Sequence, residues 1–74
     1  MKSMRGWLED MRKTAGLLQE DMAERLAISQ PYYSEIERGG RQKDMTYSMM
    51  ERLAGALGRP VQDIIDAERA AKNA

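Results

Sequence analysis

The chain has 74 residues, enough for one small domain and close to the lower size at which a hydrophobic core alone stabilises a fold. It contains no cysteine and no histidine, which removes disulfides, thiolate nucleophiles, imidazole bases and the usual zinc ligands, so we expect neither an enzyme nor a metal or other cofactor. Twelve basic and twelve acidic side chains cancel, so any grip on nucleic acid must come from a local cluster of charge. No apolar run is long enough for a membrane span or a signal peptide, and we therefore expect a cytoplasmic protein.

The first two helices are predicted from apolar residues that recur at helical spacing. Helix 1 is expected over residues 3–15, with Gly16 as a left-handed end. Helix 2 is expected over residues 18–26, where an apolar stripe lies opposite charged side chains. The stripe of helix 1 consists of Met4, Leu8, Met11 and Ala15, with Trp7 beside it, and that of helix 2 consists of Leu18, Met22, Ala23 and Leu26.

A third helix and a basic loop follow after three residues. Ser29 can cap a helix over residues 30–38, Pro31 is tolerated in its first turn, and Gly39 offers a left-handed end. We expect Tyr33 and Ile36 to face inward. The polar, glycine-rich segment 39–44 that follows predicts a loop with exposed basic side chains.

Two more helices complete the predicted all-α domain. Asp44 or Thr46 can cap a fourth helix that ends at Gly58, and Pro60 permits a fifth helix that carries Val61, Ile64 and Ile65. The apolar residues of the fourth helix are Met49, Met50, Leu53, Ala54 and Leu57. From residue 68 onward the chain lacks an apolar stripe, so we expect an ordered core over residues 4–67 and a frayed tail over residues 68–74.

Helices 2 and 3 carry the strongest indication of function. Only Ala27, Ile28 and Ser29 separate them, and so short a turn forces two helices to cross steeply. The stretch QEDMAERLAISQPYYSEIERG, residues 19–39, resembles the helix-turn-helix of Cro and phage repressors, the XRE family. The similarity extends over residues 4–66 and implies a compact, five-helix fold like that of the lambda repressor.

The resemblance also implies structural roles for four residues. In the family an Arg late in helix 1 pairs with the Glu that closes helix 3, and Arg12 and Glu37 occupy those positions; the alternative is two ordinary surface charges. Ala27 stands where the turn often has a glycine, so we expect a left-handed backbone that costs about 1 kcal/mol. Leu18 stands where Ser or Thr usually caps helix 2, so that cap is expected to be missing.

A transcriptional regulator that binds double-stranded DNA, as a homodimer on a palindrome and as a repressor, is the function that the resemblance implies. If Tyr33 and Ile36 are buried, helix 3 turns an outward stripe toward the major groove. Its predicted base-contacting residues are Gln30, Pro31, Glu35 and Tyr32. For Glu35 the alternative is a solvated carboxylate, and for Tyr32 it is an aromatic ring that covers the core.

Contacts to the DNA backbone and between subunits are expected elsewhere. The resemblance assigns phosphate contacts to Gln19, Ser34, Arg38, Arg41 and Lys43, and the alternative for Arg41 and Lys43 is a merely solvated loop. It places the dimer interface at Arg59, Pro60 and Val61, for which helix capping and core closure is an equal alternative. A competing function is a protein-interaction module of the same fold, such as an antitoxin that binds a toxin or an anti-repressor component, which the zero net charge favours.

Overall fold

A computed structural model of the chain describes residues 4–73, and this segment contains five helices and no strand. The helices are α1 (Gly6–Thr14), α2 (Gln19–Leu26), α3 (Gln30–Arg38), α4 (Tyr47–Leu57) and α5 (Val61–Asn73). Helix α2 packs against α3 and α4, while α1 contacts both α3 and α5, and α4 packs against α5. The prediction of an all-α, five-helix fold is confirmed.

One apolar core draws on all five helices. Its most deeply buried side chains are Leu8, Met22, Leu26, Tyr33, Ile36, Leu53 and Ile64, each no more than 2% exposed. Burying one such side chain stabilises a fold by about 1.5 to 3 kcal/mol. Three methionines, Met22, Met45 and Met49, fill the remaining space, which their unbranched and flexible side chains do readily. Helix α3 contributes both Tyr33 and Ile36, so its inner face is anchored in the centre of the molecule.

Local hydrogen bonds fix where the helices begin. The hydroxyl of Ser29 accepts from the backbone N–H of Tyr32 at 3.2 Å, and the hydroxyl of Thr46 accepts from that of Met49 at 3.1 Å. Leu18 has no acceptor to offer at the start of α2. Its backbone N–H instead donates to the carboxylate of Asp21 at 2.8 Å, which supplies one half of a capping box.

Helix α1 presents the predicted inner face only in part: Leu8 is buried and Trp7 and Met11 pack against the core, but Met4 and Ala15 do not. It begins at Gly6, Met4 is 76% exposed, and Ala15 is exposed as well. The buried positions are Arg5, Leu8 and Arg12, spaced by three and four residues. The stripe is rotated because both guanidinium groups find buried acceptors, so they occupy the face that apolar residues alone were expected to fill.

Helix α5 continues through the segment that the sequence predicts to fray. It reaches Asn73, and Glu68, only 5% exposed, is among the most buried polar residues of the structure. Lys72, one turn further on, donates to the carboxylate of Asp44 at 3.0 Å. The tail is helical because its contacts are made by charged side chains with partners far away in the sequence, which an apolar pattern does not reveal.

The turn between α2 and α3 holds Ala27 in the left-handed conformation, with φ 57° and ψ 43°. Because a Cβ atom strains this conformation, Ala27→Gly should raise the free energy of unfolding by about 0.5 to 1 kcal/mol. Urea unfolding followed by circular dichroism measures it. The matched control is Ala70→Gly on the exposed side of α5, which should lower stability by about 1 kcal/mol. A loss of stability in both variants would contradict strain at Ala27.

Candidate nucleic-acid interface

The turn between α2 and α3 brings the two helices into direct contact. Ala23 is 4% exposed on the inner side of α2, and its carbonyl oxygen accepts from the backbone N–H of Ile28 at 3.0 Å. Ile28 packs its half-buried side chain against the core. The turn is therefore fixed by a backbone hydrogen bond and an apolar anchor, and both determine how α3 projects from α2.

Helix α3 turns a polar face to solvent opposite its buried residues. Gln30 and Pro31, at its first two positions, are exposed, and Ser34 and Glu35 are half-buried one turn later. Arg38 follows at the end of the helix with 69% of its side chain exposed. The outward stripe deduced from the helical wheel is thus present as a surface, with a neutral start and a charged end.

A buried ion pair holds this helix to α1. The Nε of Arg12 donates to one carboxylate oxygen of Glu37 at 2.7 Å, and its Nη2 donates to the other at 3.4 Å. The third nitrogen, Nη1, donates to the carbonyl oxygen of Leu17 at 3.0 Å. Both side chains are at least nine-tenths buried, so the pair is structural rather than two separate surface charges. We call it the Arg12–Glu37 clamp.

Two further side chains surround the carboxylate of Glu37. The side-chain amide of Gln19 donates to it at 3.1 Å, so a residue expected at the DNA backbone is engaged within the fold through its side chain. The hydrogen bond to Glu37 raises the pKa of the Arg12 guanidinium. Burial, with a further contribution from the Glu37 carboxylate, raises the pKa of the Tyr33 phenol. The site therefore keeps Arg12 charged and Tyr33 neutral.

The carboxylate of Glu35 lies back along α3 toward its end. It accepts from Arg38 Nη1 at 2.9 Å, in an exposed pair one turn apart. A Cβ atom at Gly40 would lie 2.5 Å from its Oε2, so the absence of a side chain there leaves room for this arrangement. Arg38 bonds only Oε1, so the carboxylate keeps acceptor capacity for a donor on a base edge.

The basic loop, residues 39–43, packs against Tyr32. This residue is half-buried and packs against the core, and its hydroxyl accepts from the side-chain amide of Gln42 at 3.3 Å. The guanidinium of Arg41 lies 5.8 Å from the centre of the same ring, within the range of a cation–π contact. Tyr32 therefore packs against the core and supports the loop, and its expected contact with a base stays a prediction.

Arg5 and Glu68 were not predicted from the sequence. Arg5 Nε and Nη2 donate to the two carboxylate oxygens of Glu68 at 3.0 and 2.9 Å. Nη1 donates to the carbonyl oxygens of Ile36 at 2.6 Å and Arg41 at 3.0 Å, and Nη2 also donates to that of Gln42. The only available sequence signal is the seven-residue spacing of Arg5 and Arg12 on either side of Leu8, which places two cations on one helical face.

The segment expected at a dimer interface closes the fold of a single subunit. Arg59 donates to the carboxylate of Asp63 at 3.4 Å, Val61 packs against the core, and Pro60 is exposed. These contacts start α5 and seal its first turn, while a dimer contact at the same residues stays a prediction. Pro60 is exposed, and 36% of the Arg59 side chain is accessible as well.

Across residues 4–73, no cluster of acidic side chains has the arrangement needed to hold a metal ion. The same segment has no helix that combines the length and the apolar character required to span a bilayer. A protein family described as helix-turn-helix matches residues 8–64, which is most of the chain. No curated protein and no solved structure matches the chain significantly.

The Arg12–Glu37 clamp is predicted to contribute strongly to the stability of the fold. Glu37→Gln removes the buried counter-charge of Arg12 and leaves only the partly exposed carboxylate of Glu9 at 4.0 Å, so we expect the free energy of unfolding to fall by about 3 to 5 kcal/mol. The matched control is Glu35→Gln on the same helix, whose ion pair with Arg38 is exposed and should change stability by less than about 1 kcal/mol. Chemical denaturation monitored through Trp7 fluorescence compares the two. Equal losses would show that the Arg12–Glu37 clamp contributes no more to stability than an exposed ion pair.

Proposed function

The chain belongs to the helix-turn-helix family of Cro- and C1-type regulators and is a DNA-binding transcription regulator; from this premise we propose that it recognises a specific sequence with α3 in the major groove. We further propose that it acts as a repressor and binds a palindromic operator as a homodimer. The observation that carries the proposal is the exposed first turn of α3 on a helix whose other face is held by the core and by the Arg12–Glu37 clamp.

The first turn of α3 supplies the base readers in this proposal. Recognition helices of helix-turn-helix proteins contact base edges with their N-terminal residues. Gln30 is exposed there, and a glutamine amide matches the donor and acceptor pair of adenine N6 and N7. Pro31 beside it is an exposed apolar surface suited to a thymine methyl group. Helix α3 therefore offers one polar and one apolar reader at the point nearest the groove.

Glu35 is a further candidate for a base contact, which depends on its ion pair with Arg38. Its carboxylate can accept a hydrogen bond from cytosine N4, but it now neutralises Arg38. If Arg38 turned to a phosphate, both groups would gain a partner on the DNA, and the carboxylate would be free to face a base. Ser34, half-buried between them, can donate its hydroxyl to a phosphate. The exposed pair is weak enough in water for this exchange to cost little.

The phosphate contacts are proposed for the end of α3 and the basic loop. Arg38, Arg41 and Lys43 are all exposed, and Lys43 forms no ion pair with any residue in the range 4–73. For Gln19 the proposed contact runs through the backbone N–H at the start of α2, since its side chain is bonded to Glu37. These contacts fix the register of α3 on the duplex without selecting bases.

A second subunit is proposed because one domain of this size contacts few base pairs. Discrimination against a genome of competing sites needs more base contacts than one short helix makes. Two copies related by a two-fold axis would set their α3 helices about 34 Å apart, one turn of DNA. The segment from Arg59 to Val61 is the proposed contact between them, with Pro60 at its exposed centre.

Gln30→Ala tests base reading. A site is first selected from random duplexes, and affinity is then measured by fluorescence anisotropy on that site and on unrelated DNA. We expect a loss of about 1 to 3 kcal/mol on the selected site and a relaxed preference at one base pair. Gln62→Ala, an exposed glutamine on α5, serves as the control and should change neither. If both DNAs are weakened equally, Gln30 does not read a base; a folded dimer that enriches no site favours the protein-interaction module.

Arg41→Ala tests the loop as a phosphate-binding element. The variant should weaken selected and unrelated DNA alike, and the slope of log affinity against log salt should fall by about one unit because one phosphate is no longer neutralised. Arg69→Ala removes the same charge from an exposed position on α5 and should leave the slope unchanged. An unaltered slope for Arg41→Ala would mean that the loop is solvated in the complex.

A further inference from the structure

The last turns of α5 are connected to the basic loop through Arg5. Glu68 holds the guanidinium of Arg5 through both carboxylate oxygens, at 2.9 and 3.0 Å. Through Nη1 and Nη2 the same guanidinium donates to the carbonyl oxygens of Arg41 and Gln42 in the loop. Arg5 and Glu68 are 4% and 5% exposed, so this chain of contacts is shielded from water. A helix remote from α3 in sequence is thus joined to the proposed phosphate-binding loop.

Both members of this ion pair lie outside residues 8–64, the part of the chain that matches the family. The same is true of Lys72, whose ammonium group reaches Asp44 just after the loop at 3.0 Å. The support of the loop is therefore built from the two ends of the chain.

The loop needs such support because its own sequence favours mobility. It opens with Gly39 and Gly40, and Gln42 adopts a left-handed conformation with φ 55°, which is unfavourable for a residue with a Cβ atom. Arg5 anchors the loop through its backbone, and Tyr32 contacts the side chains of Arg41 and Gln42 from the other side. Anchored on both sides, the loop is held in one conformation before any ligand arrives.

We propose that Arg5 and Glu68 are positioning residues for DNA binding: they hold the basic loop so that Arg41 and Lys43 meet phosphates without first being ordered. This inference rests on the proposed function of the loop. Its physical basis is preorganisation, since a loop that is already fixed loses less conformational entropy on binding. The end of α5 then belongs to the DNA-binding apparatus although it is remote from α3 in the sequence.

The sign of one substitution separates positioning from simple electrostatics. Glu68→Gln removes a negative charge from the protein, so electrostatics alone predicts tighter binding to DNA. Positioning predicts weaker binding, because Arg5 loses its counter-ion and its grip on the loop carbonyls. Asp66→Asn is the matched control: it removes the same charge from the same helix, but Asp66 is exposed and, among residues 4–73, accepts only from Gln62 on its own helix.

The experiment is a salt titration of affinity for a selected duplex with the full chain and both variants. We expect Glu68→Gln to bind roughly five- to tenfold more weakly, with the slope of log affinity against log salt reduced by about one to two units, one for each phosphate that the loop no longer neutralises. Asp66→Asn should bind as tightly as the parent or more tightly. Equal or tighter binding by Glu68→Gln, with an unchanged slope, would overturn the proposal.

The salt slope distinguishes loss of loop positioning in Glu68→Gln from a mere loss of fold stability. Partial unfolding lowers the concentration of competent protein but leaves the number of phosphates neutralised, and hence the salt slope, as it was. In a background that carries Arg41→Ala and Lys43→Ala, Glu68→Gln should produce no further change in slope, because the cations that it positions are already gone. A further reduction there would assign the effect to other cations and contradict the proposal.

A measurement without DNA tests the support of the loop directly. The backbone N–H groups of Gly40 and Arg41 donate to the carbonyl oxygen of Glu35 at 2.9 and 3.3 Å, so their hydrogen exchange reports on the loop. Exchange at both should quicken in Glu68→Gln and not in Asp66→Asn. Unchanged exchange would overturn the support of the loop. If the parent protein binds no duplex, the proposed function falls together with the role in binding, while exchange still decides whether α5 holds the loop.

Discussion

The buried carboxylate of Glu37 is the point on which the position of α3 depends. It accepts from Arg12 of α1 and from Gln19 of α2, so one group on α3 is bonded to both helices that precede it. In the low-dielectric interior such hydrogen-bonded charge is costly unless every partner is in place. The arrangement therefore tolerates one docking geometry for α3. Apolar packing of Tyr33 and Ile36 supplies the stabilising burial, and the clamp selects the orientation in which the outer face points to solvent.

A second arginine, just before α1, anchors the basic loop in the way that Arg12 anchors α3. Arg5, just before the first residue of α1, and Arg12 lie two turns apart on one face, with Leu8 between them in the core. One guanidinium closes on a side chain of α3, and the other donates to Ile36 of α3 and to two carbonyl oxygens of the loop. Helix α1 thus fixes the end of α3 relative to the basic loop that follows it. For a surface that must match the fixed spacing of groups on a duplex, this rigidity is the useful property.

Apolar periodicity predicted α2, α3 and α4 because their inner faces are made of apolar residues and their ends carry local signals such as Ser29 and Thr46. It failed at the two ends of the chain for one physical reason. The inner positions there are Arg5 and Glu68, which a periodicity rule counts as surface, and they are separated by 63 residues. The outward stripe of α3 could be predicted from the helical periodicity of its residues. The contacts of Gln19 with Glu37 and of Tyr32 with the loop could not, because they depend on which side chains meet across helices. Local sequence carries no such information.

The cations of this chain of zero net charge divide between structural contacts and one exposed cluster. Arg5 and Arg12 are consumed inside the fold, and Arg25 and Arg52 donate to the carbonyl oxygens of Ala56 and Leu26 between α2 and α4. Much of the positive charge is thus structural, while Arg38, Arg41 and Lys43 stand together at one end of α3. Net charge therefore says little about the local field at this surface. A cluster of three cations supports few phosphate contacts, which is why we propose that the loop holds those contacts ready and that two subunits bind one site.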